Sequence, residues 1–307
     1  MKKRKFTVIT GRNTGMFSNM LHIIQQLYKC EKGDSIPIVV IEEGIYDTNG
    51  KNLWDFFFDP TSLYSVEDIL ETDDVTYTNK YCKNTVIYGC ENCFRYKKYV
   101  RGGCVAIPSK ECRFAANKII NKYIKLNDAT ATKVENFANT FFDGKILGVH
   151  IRYSKSHYQR ERQGNDVLKR FKKNIEKHLC NGGYDKVFIA TDCEEVILTM
   201  KDHFGDKVVY YDSYRAKSGE LFDSKELSNI KTVKDIPTSL AKIEYAEEAL
   251  IESYLLSKTD KLLHGISNLS SCVQFLNPDM DAEFIPKYNK EYKNILSKNF
   301  GIVKFKL

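Results

Sequence analysis

Apolar positions along this chain recur with two periods, and the changes between them mark out the elements. Phe6-Thr7-Val8-Ile9-Thr10 reads as the first strand and runs into the loop Gly11-Arg12-Asn13-Thr14-Gly15. From Met16 to Cys30 the spacing lengthens, with Met20, Leu21, Ile24, Leu27 and Tyr28 on one helical stripe. Ile36 to Ile41 is a nearly unbroken apolar run, the pattern of a parallel strand covered on both faces. These segments predict a β-loop-α-β unit. Residues 42–110, rich in aromatics, cysteines and turn formers, predict irregular structure, and two helical patterns follow at 111–124 and 129–142.

Beyond position 144 the periods alternate cleanly. Strand 146–152, helix 165–180, strand 186–191, helix 193–203 and strand 207–211 give a βαβαβ order, the mark of a doubly wound half. A polar loop at 212–239 is expected to face an acceptor or to move. Helix 240–257 and strand 260–264 follow. Gly265-Ile266-Ser267-Asn268 then opens a helix through Leu276, and a basic helix closes the chain near 288–299. The expected architecture is α/β, with two Rossmann-like doubly wound units facing a cleft. Residues 1–144 form the first, 145–287 the second and 288–307 a tail.

Bulk properties narrow the classes. The 307 residues are 42% hydrophobic and 12% aromatic, enough for a sizeable core. The net charge of +7 comes from 47 basic and 40 acidic residues spread along the chain, which suits diphosphates or anionic glycans. No dense basic stripe interleaved with aromatics argues for nucleic acid. No apolar run reaches the length of a membrane span. The basic start Met1-Lys2-Lys3-Arg4-Lys5 has only a short apolar stretch behind it, stopping at Gly11, so a secretory signal is rejected and a cytoplasmic location expected. Nine cysteines at irregular spacing argue against a disulfide framework. Cys90-x-x-Cys93, with Cys82, Cys104 and Cys112 nearby, has the ligand types for zinc, but no second close pair follows and reduced thiols are the plainer reading.

The chemistry-bearing positions fall where strands end. Gly148-Val149-His150-Ile151-Arg152 carries a histidine and an arginine to the end of a buried strand, and Val187-Phe188-Ile189-Ala190-Thr191-Asp192 ends in a carboxylate. Open α/β sheets build ligand sites at such edges. The pair predicts an anionic, hydrogen-bond-rich ligand such as a sugar nucleotide.

Three patches resemble the GDP-fucose-dependent α1,6-fucosyltransferases of the core and rhizobial chitooligosaccharide type, whose relatives are the α1,2- and protein O-fucosyltransferases. Asn13-Thr14-Gly15-Met16-Phe17-Ser18-Asn19-Met20-Leu21-His22 is similar to the glycine-containing loop that opens their first helix. His150-Ile151-Arg152 is similar to their H-x-R. Ile251-Glu252-Ser253-Tyr254-Leu255-Leu256-Ser257, a strand and then Ser267-Asn268 is similar to their acidic helix and serine-rich turn. The three span about residues 6–277. Tyr153 stands where many members carry a second arginine, and Glu252 where the core enzymes have aspartate. The turn from Tyr153 to Tyr158 lacks the usual acid beside a lysine.

The resemblance implies a GT-B, inverting, metal-independent transferase without a cofactor. Its donor would be a GDP-sugar, GDP-fucose above others, and its acceptor an oligosaccharide or glycoconjugate. Arg152 would meet the β-phosphate, since a planar guanidinium suits an oxyanion that gains charge in the transition state. Gly15 and the start of the first helix, with Asn13, would lie against the diphosphate, and Lys155 would add charge. Glu252 would take guanine's paired N–H groups with His150 beside it, and Asp192 the ribose or base. Ser267 and Asn268 would reach phosphate or serve as plain helix caps. Glu161 or His157 would be the catalytic base. Open alternatives are another donor (GDP-rhamnose or UDP-xylose), a nucleotide- or glycan-binding module without turnover, and nucleic-acid association.

Overall fold

The computed structural model describes residues 3–11, 14–42, 45–78, 108–153, 161–216, 243–265 and 267–285. Strand β1 (Lys5–Thr10) pairs in parallel with β2 (Ile36–Val40) and with β3 (Asp74–Tyr77), in the order β2-β1-β3. Helix α1 (Met16–Gly33) joins the first two and ends at Asp34, whose left-handed backbone (φ 50°) turns its N–H back to Cys30 O. Helices α2 (Lys110–Tyr123) and α3 (Asp128–Phe141) follow. Each starts on a side-chain cap, with Ser109 accepting from Cys112 N and Asn127 from Thr130 N.

The second sheet has five parallel strands in the order β6-β5-β4-β7-β8: β4 (Ile146–Ile151), β5 (Lys186–Thr191), β6 (Val208–Val209), β7 (Lys261–His264) and β8 (Ala282–Phe284). From β4 the chain winds outward through α4 (Glu161–Asn181) and α5 (Glu194–Phe204). It then returns through α6 (Ile243–Ser257) to lay β7 on the other side of β4, with α7 (Asn268–Leu276) leading to β8. The winding direction therefore reverses between β4 and β7, and the crevice beyond the carboxyl ends of two such strands is where open α/β sheets bind ligands.

Side-chain alternation sorts the second sheet into two faces. Leu147, Val149, Ile151, Val187, Ile189 and Leu263 pack with Phe171, Ile175, Val196 and Met200 of α4 and α5. Ile146, Phe188, Ala190 and Leu262 join the larger cluster, which includes Leu250 and Leu255 of α6, Val273 and Phe275 of α7, Ile23, Ile24 and Leu27 of α1, and Ile119 of α2. One apolar cluster thus crosses position 144, with α1 packed against α2 and α7. Gly148 lies on this face. A Cβ there would sit 2.3 Å from Thr259 Oγ1, so only glycine lets β4 pass this close to the turn before β7.

The expected elements are found with three differences. The described residues of 42–110 contain β3 and two single-turn 3₁₀ segments, Leu53–Phe56 and Val66–Asp68. The strand expected at 207–211 keeps only Val208 and Val209, and beyond it the carbonyls of Tyr211 and Ser213 accept from Arg215. β8 escapes the pattern because it is three residues long and carries Glu283, which answers Lys261 and His178 on its neighbours. The tail helix expected near 288–299 and most of loop 212–239 lie outside the described residues. Among the described residues no helix is long and apolar enough to cross a membrane.

Candidate functional site

Ile151 and Thr191 are register partners at the ends of β4 and β5, so the next residues along, Arg152 and Asp192, emerge side by side. Asp192 Oδ2 takes Arg152 Nη1 at 2.8 Å, and Oδ1 accepts the backbone N–H of Tyr153 at 2.9 Å. One carboxylate thereby fixes both the guanidinium and the turn that carries it. Asp192 is engaged with protein groups, and Cys193, not Asp192, occupies the N-cap position of α5. By strand alternation Arg152 shares the face of Gly148 and His150, the face covered by α6 and α7.

The start of α1 converges on the same place. Gly15 is its N-cap residue, without a side chain to satisfy the first-turn amides, and Met16 N donates to the hydroxyl of Tyr46 at 3.1 Å. Tyr46 is 3% exposed. Burial pushes its pKa up to about 12, while the N–H of Met16 and the charge of Arg152 act in the opposite direction. The hydroxyl of Tyr46 thus accepts from a helix N-terminus of the first sheet and lies within the electrostatic reach of a guanidinium of the second. Both favour negative charge. Sequence reasoning missed Tyr46, a single aromatic in a stretch read as irregular.

Gly15 has an ordinary backbone (φ −61°), and a Cβ there would come no closer than 3.9 Å to Ile45 Cδ1 and 4.0 Å to Tyr46 Oη. Among the described residues neither backbone conformation nor packing demands glycine. Asn19 Nδ2 braces the loop by donating to Thr14 O at 3.1 Å.

His150 and His264 are register partners on β4 and β7, and both are buried. His150 Nδ1 lies 2.7 Å from Ser270 Oγ on α7, which fixes the ring. His264 Nδ1 meets Gly265 O at 3.0 Å, its Nε2 has no hydrogen-bond partner among the described residues, and burial holds its pKa down at about 4. Ser267 caps α7, accepting from Leu269 N at 3.2 Å, and Asn268 is the first residue of that helix.

Glu252, on α6, is 6% exposed. Its Oε1 accepts from Arg215 Nη2 at 2.9 Å and from Ser213 Oγ at 2.9 Å. Burial raises its pKa to about 7, against the pull of Arg215 and Ser213. Arg215 is buried as well; its other hydrogen bonds hold the carbonyls of Tyr211 and Ser213, and its Nε has no hydrogen-bond partner among the described residues. One turn of α6 earlier, Glu248 accepts from Tyr214 N at 2.8 Å. The loop after β6 is thus clamped to α6 at two carboxylates. Neither Arg215 nor Ser213 carried a sequence signal beyond lying in a polar loop.

The structure brings Arg152, Asp192 and the Gly15 end of α1 together, with His150 on the same face and Ser267 and Asn268 beyond the neighbouring strand β7. Glu252 hydrogen-bonds to the loop after β6. Asn13, Lys155 and His157 lie outside the described residues, as do Cys82, Cys90, Cys93 and Cys104. Glu161 is placed only as the first residue of α4. Cys112 is buried in α2, and among the described residues no group of three or more His, Cys, Asp or Glu could hold a metal ion.

No family model matches the sequence, and no curated protein matches it. Solved structures do share the fold. A NodZ α1,6-fucosyltransferase soaked with GDP-fucose aligns with a TM-score of 0.51 at 18% identity, over 89% of this chain and 93% of that one. The fucosyltransferase NodZ from Bradyrhizobium gives 0.50 at 18%, over 85% and 88%. POFUT1 in complex with GDP-fucose gives 0.50 at 9%, over 93% and 98%. At these identities the likeness is one of fold, and it extends over most of each chain.

Proposed function

We propose that this chain is a glycosyltransferase that moves fucose, or a related deoxyhexose, from a GDP-sugar to a hydroxyl of an oligosaccharide or glycoconjugate, with inversion and without a metal ion. The observation that carries the reading is Arg152, aimed by Asp192 at the carboxyl ends of β4 and β5, with the N-terminus of α1 within its electrostatic reach at Tyr46. Two sources of positive potential, one from each sheet, there suit a diphosphate. The fold shared with proteins solved with GDP-fucose supports the same donor. In this reading residues 1–144 and 145–287 act as the two halves of a GT-B enzyme, with 288–307 as a tail.

The acceptor oxygen attacks the anomeric carbon as the bond from that carbon to the β-phosphate oxygen breaks, so attack and departure occur on opposite faces. The electron pair of the breaking bond stays on the phosphate, where Arg152, aimed by Asp192, and the first amides of α1 meet the added charge. Lys155 sets a second cation against that charge, and Asn13 and Gly15 line the approach. Glu252 reads the base with His150 beside it, and Ser267 and Asn268 hydrogen-bond the donor at the end of β7. The acceptor proton passes to Glu161 or His157. Asp192 acts through Arg152.

A thermal-shift panel of GDP, UDP, CDP and ADP tests the donor, followed by transfer from GDP-fucose to a glycan panel in the presence of EDTA. Stabilisation by GDP alone and transfer that survives chelation are the expected results. A UDP-selective shift would replace the donor, and GDP binding without transfer or hydrolysis would make the chain a binding module.

A further inference from the structure

The two oxygens of Glu252 are not equivalent. Oε1 accepts from both Arg215 Nη2 and Ser213 Oγ, which fills the two lone-pair directions of one carboxylate oxygen. Oε2 has no hydrogen bond among the described residues. Arg215 is itself held from behind, its Nη1 on Ser213 O at 3.0 Å and its Nη2 also on Tyr211 O at 2.7 Å. The guanidinium therefore has one orientation, set by the backbone of the loop after β6, and transmits it to the carboxylate.

We infer that Arg215, with Ser213, is the positioning residue for base recognition: by occupying Oε1 it presents Oε2 as the acceptor that meets the N–H edge of guanine. The inference rests on the nucleotide reading above and adds to it the residue that orients and charges the base-reading group. A carboxyl group this deeply buried loses its proton only when a cation stands beside it. Besides Arg215, Glu248 on the same helix faces Glu252, with the opposite effect on its charge. Of the elements packed on α6, α7 carries no charged side chain, Lys133 of α3 is paired with Glu247, and α1 and β4 bring the buried histidines His22 and His150, while β5 brings only apolar residues and Thr191 to its buried stretch. Arg215 is thus the cation that keeps Glu252 able to accept.

Isothermal titration of GDP into the wild-type protein, Arg215→Met, Arg215→Lys and Ser213→Ala, from pH 6 to pH 9, tests this. The ratio of variant to wild-type affinity at each pH cancels the titration of the nucleotide's own phosphate. For Arg215→Met the midpoint for binding should move up by about one pH unit or more. Its affinity should fall roughly tenfold or more near pH 7 and recover toward pH 9. Arg215→Lys should restore most of the neutral-pH affinity. Ser213→Ala, which keeps the buried pair and does not threaten folding, should shift the midpoint in the same direction by less. A loss of equal factor at every pH, or no change in Arg215→Met and Ser213→Ala, would overturn the inference while leaving the nucleotide reading intact. No GDP binding by the wild-type protein would remove that reading and the inference with it.

Discussion

Arg152 and Asp192 form an ion pair at 2.8 Å across the ends of two adjacent parallel strands, and Asp192 holds the following backbone amide with its other oxygen. The pair sets the direction in which the guanidinium can work. Arg152→Ala should reduce turnover by roughly 10²–10³ or more, the usual cost of removing a donor that meets charge developing in the transition state. Asp192→Asn can still accept from Tyr153 N but no longer anchors the guanidinium by charge. It should lose less turnover than Arg152→Ala. Steady-state rates at saturating GDP-sugar decide the point: a full-sized loss in Asp192→Asn would place Asp192 in direct contact with the donor.

Tyr46 and Gly15 separate structure from ligand binding at the same helix start. Tyr46→Phe removes the acceptor of a buried N–H, that of Met16, and should cost about 1–3 kcal/mol in denaturant unfolding. Gly15→Ala meets only ordinary contacts among the described residues, but alanine is a poorer N-cap than glycine, so its stability should fall by about 0.5–1 kcal/mol, less than in Tyr46→Phe. GDP affinity should also fall in Gly15→Ala, because the added methyl group occupies the approach to the helix amides. Unchanged affinity would move the diphosphate away from α1.

The contrast between Arg152 and Arg215 shows what could be read from the chain before its structure. Arg152 follows a six-residue buried strand, and the alternation of that strand already places it on the face of His150. Periodicity likewise marked β1, α1 and the run from β4 to α5. Arg215 and Tyr46 follow no periodic element. Their roles come from contacts across the fold, to Glu252 on a helix 37 residues on and to Met16 N 30 residues back. β3 and β8 were hidden for another reason: at four and three residues, with exposed or charged positions, each is too short to establish a period. Glu252 was legible as a carboxylate on the late helix, but its partner was not.

Two buried titrating groups should give opposite pH dependences of stability. Glu252 has its pKa raised to about 7 in the folded chain, so between its ordinary value of 4.5 and about 7 the folded state holds a proton that the unfolded state has released. Stability from this group is present at low pH and is lost as pH rises through that window, by about 3 kcal/mol in total. His264 has its pKa lowered from 6.5 to about 4, so between those values the unfolded chain binds the extra proton. Its contribution is present above pH 6.5 and lost as pH falls toward 4, again by about 3 kcal/mol. The two windows overlap, and within them the two contributions oppose each other. Each single variant exposes the other group. Glu252→Gln should become steadily more stable from pH 4.5 to 6.5, whereas His264→Asn, which keeps a donor for Gly265 O, should become less stable as pH rises to 7. Urea unfolding at half-unit pH steps measures both slopes. Parallel profiles for the two variants would show that neither carboxyl nor imidazole is buried in the protonation state the fold requires.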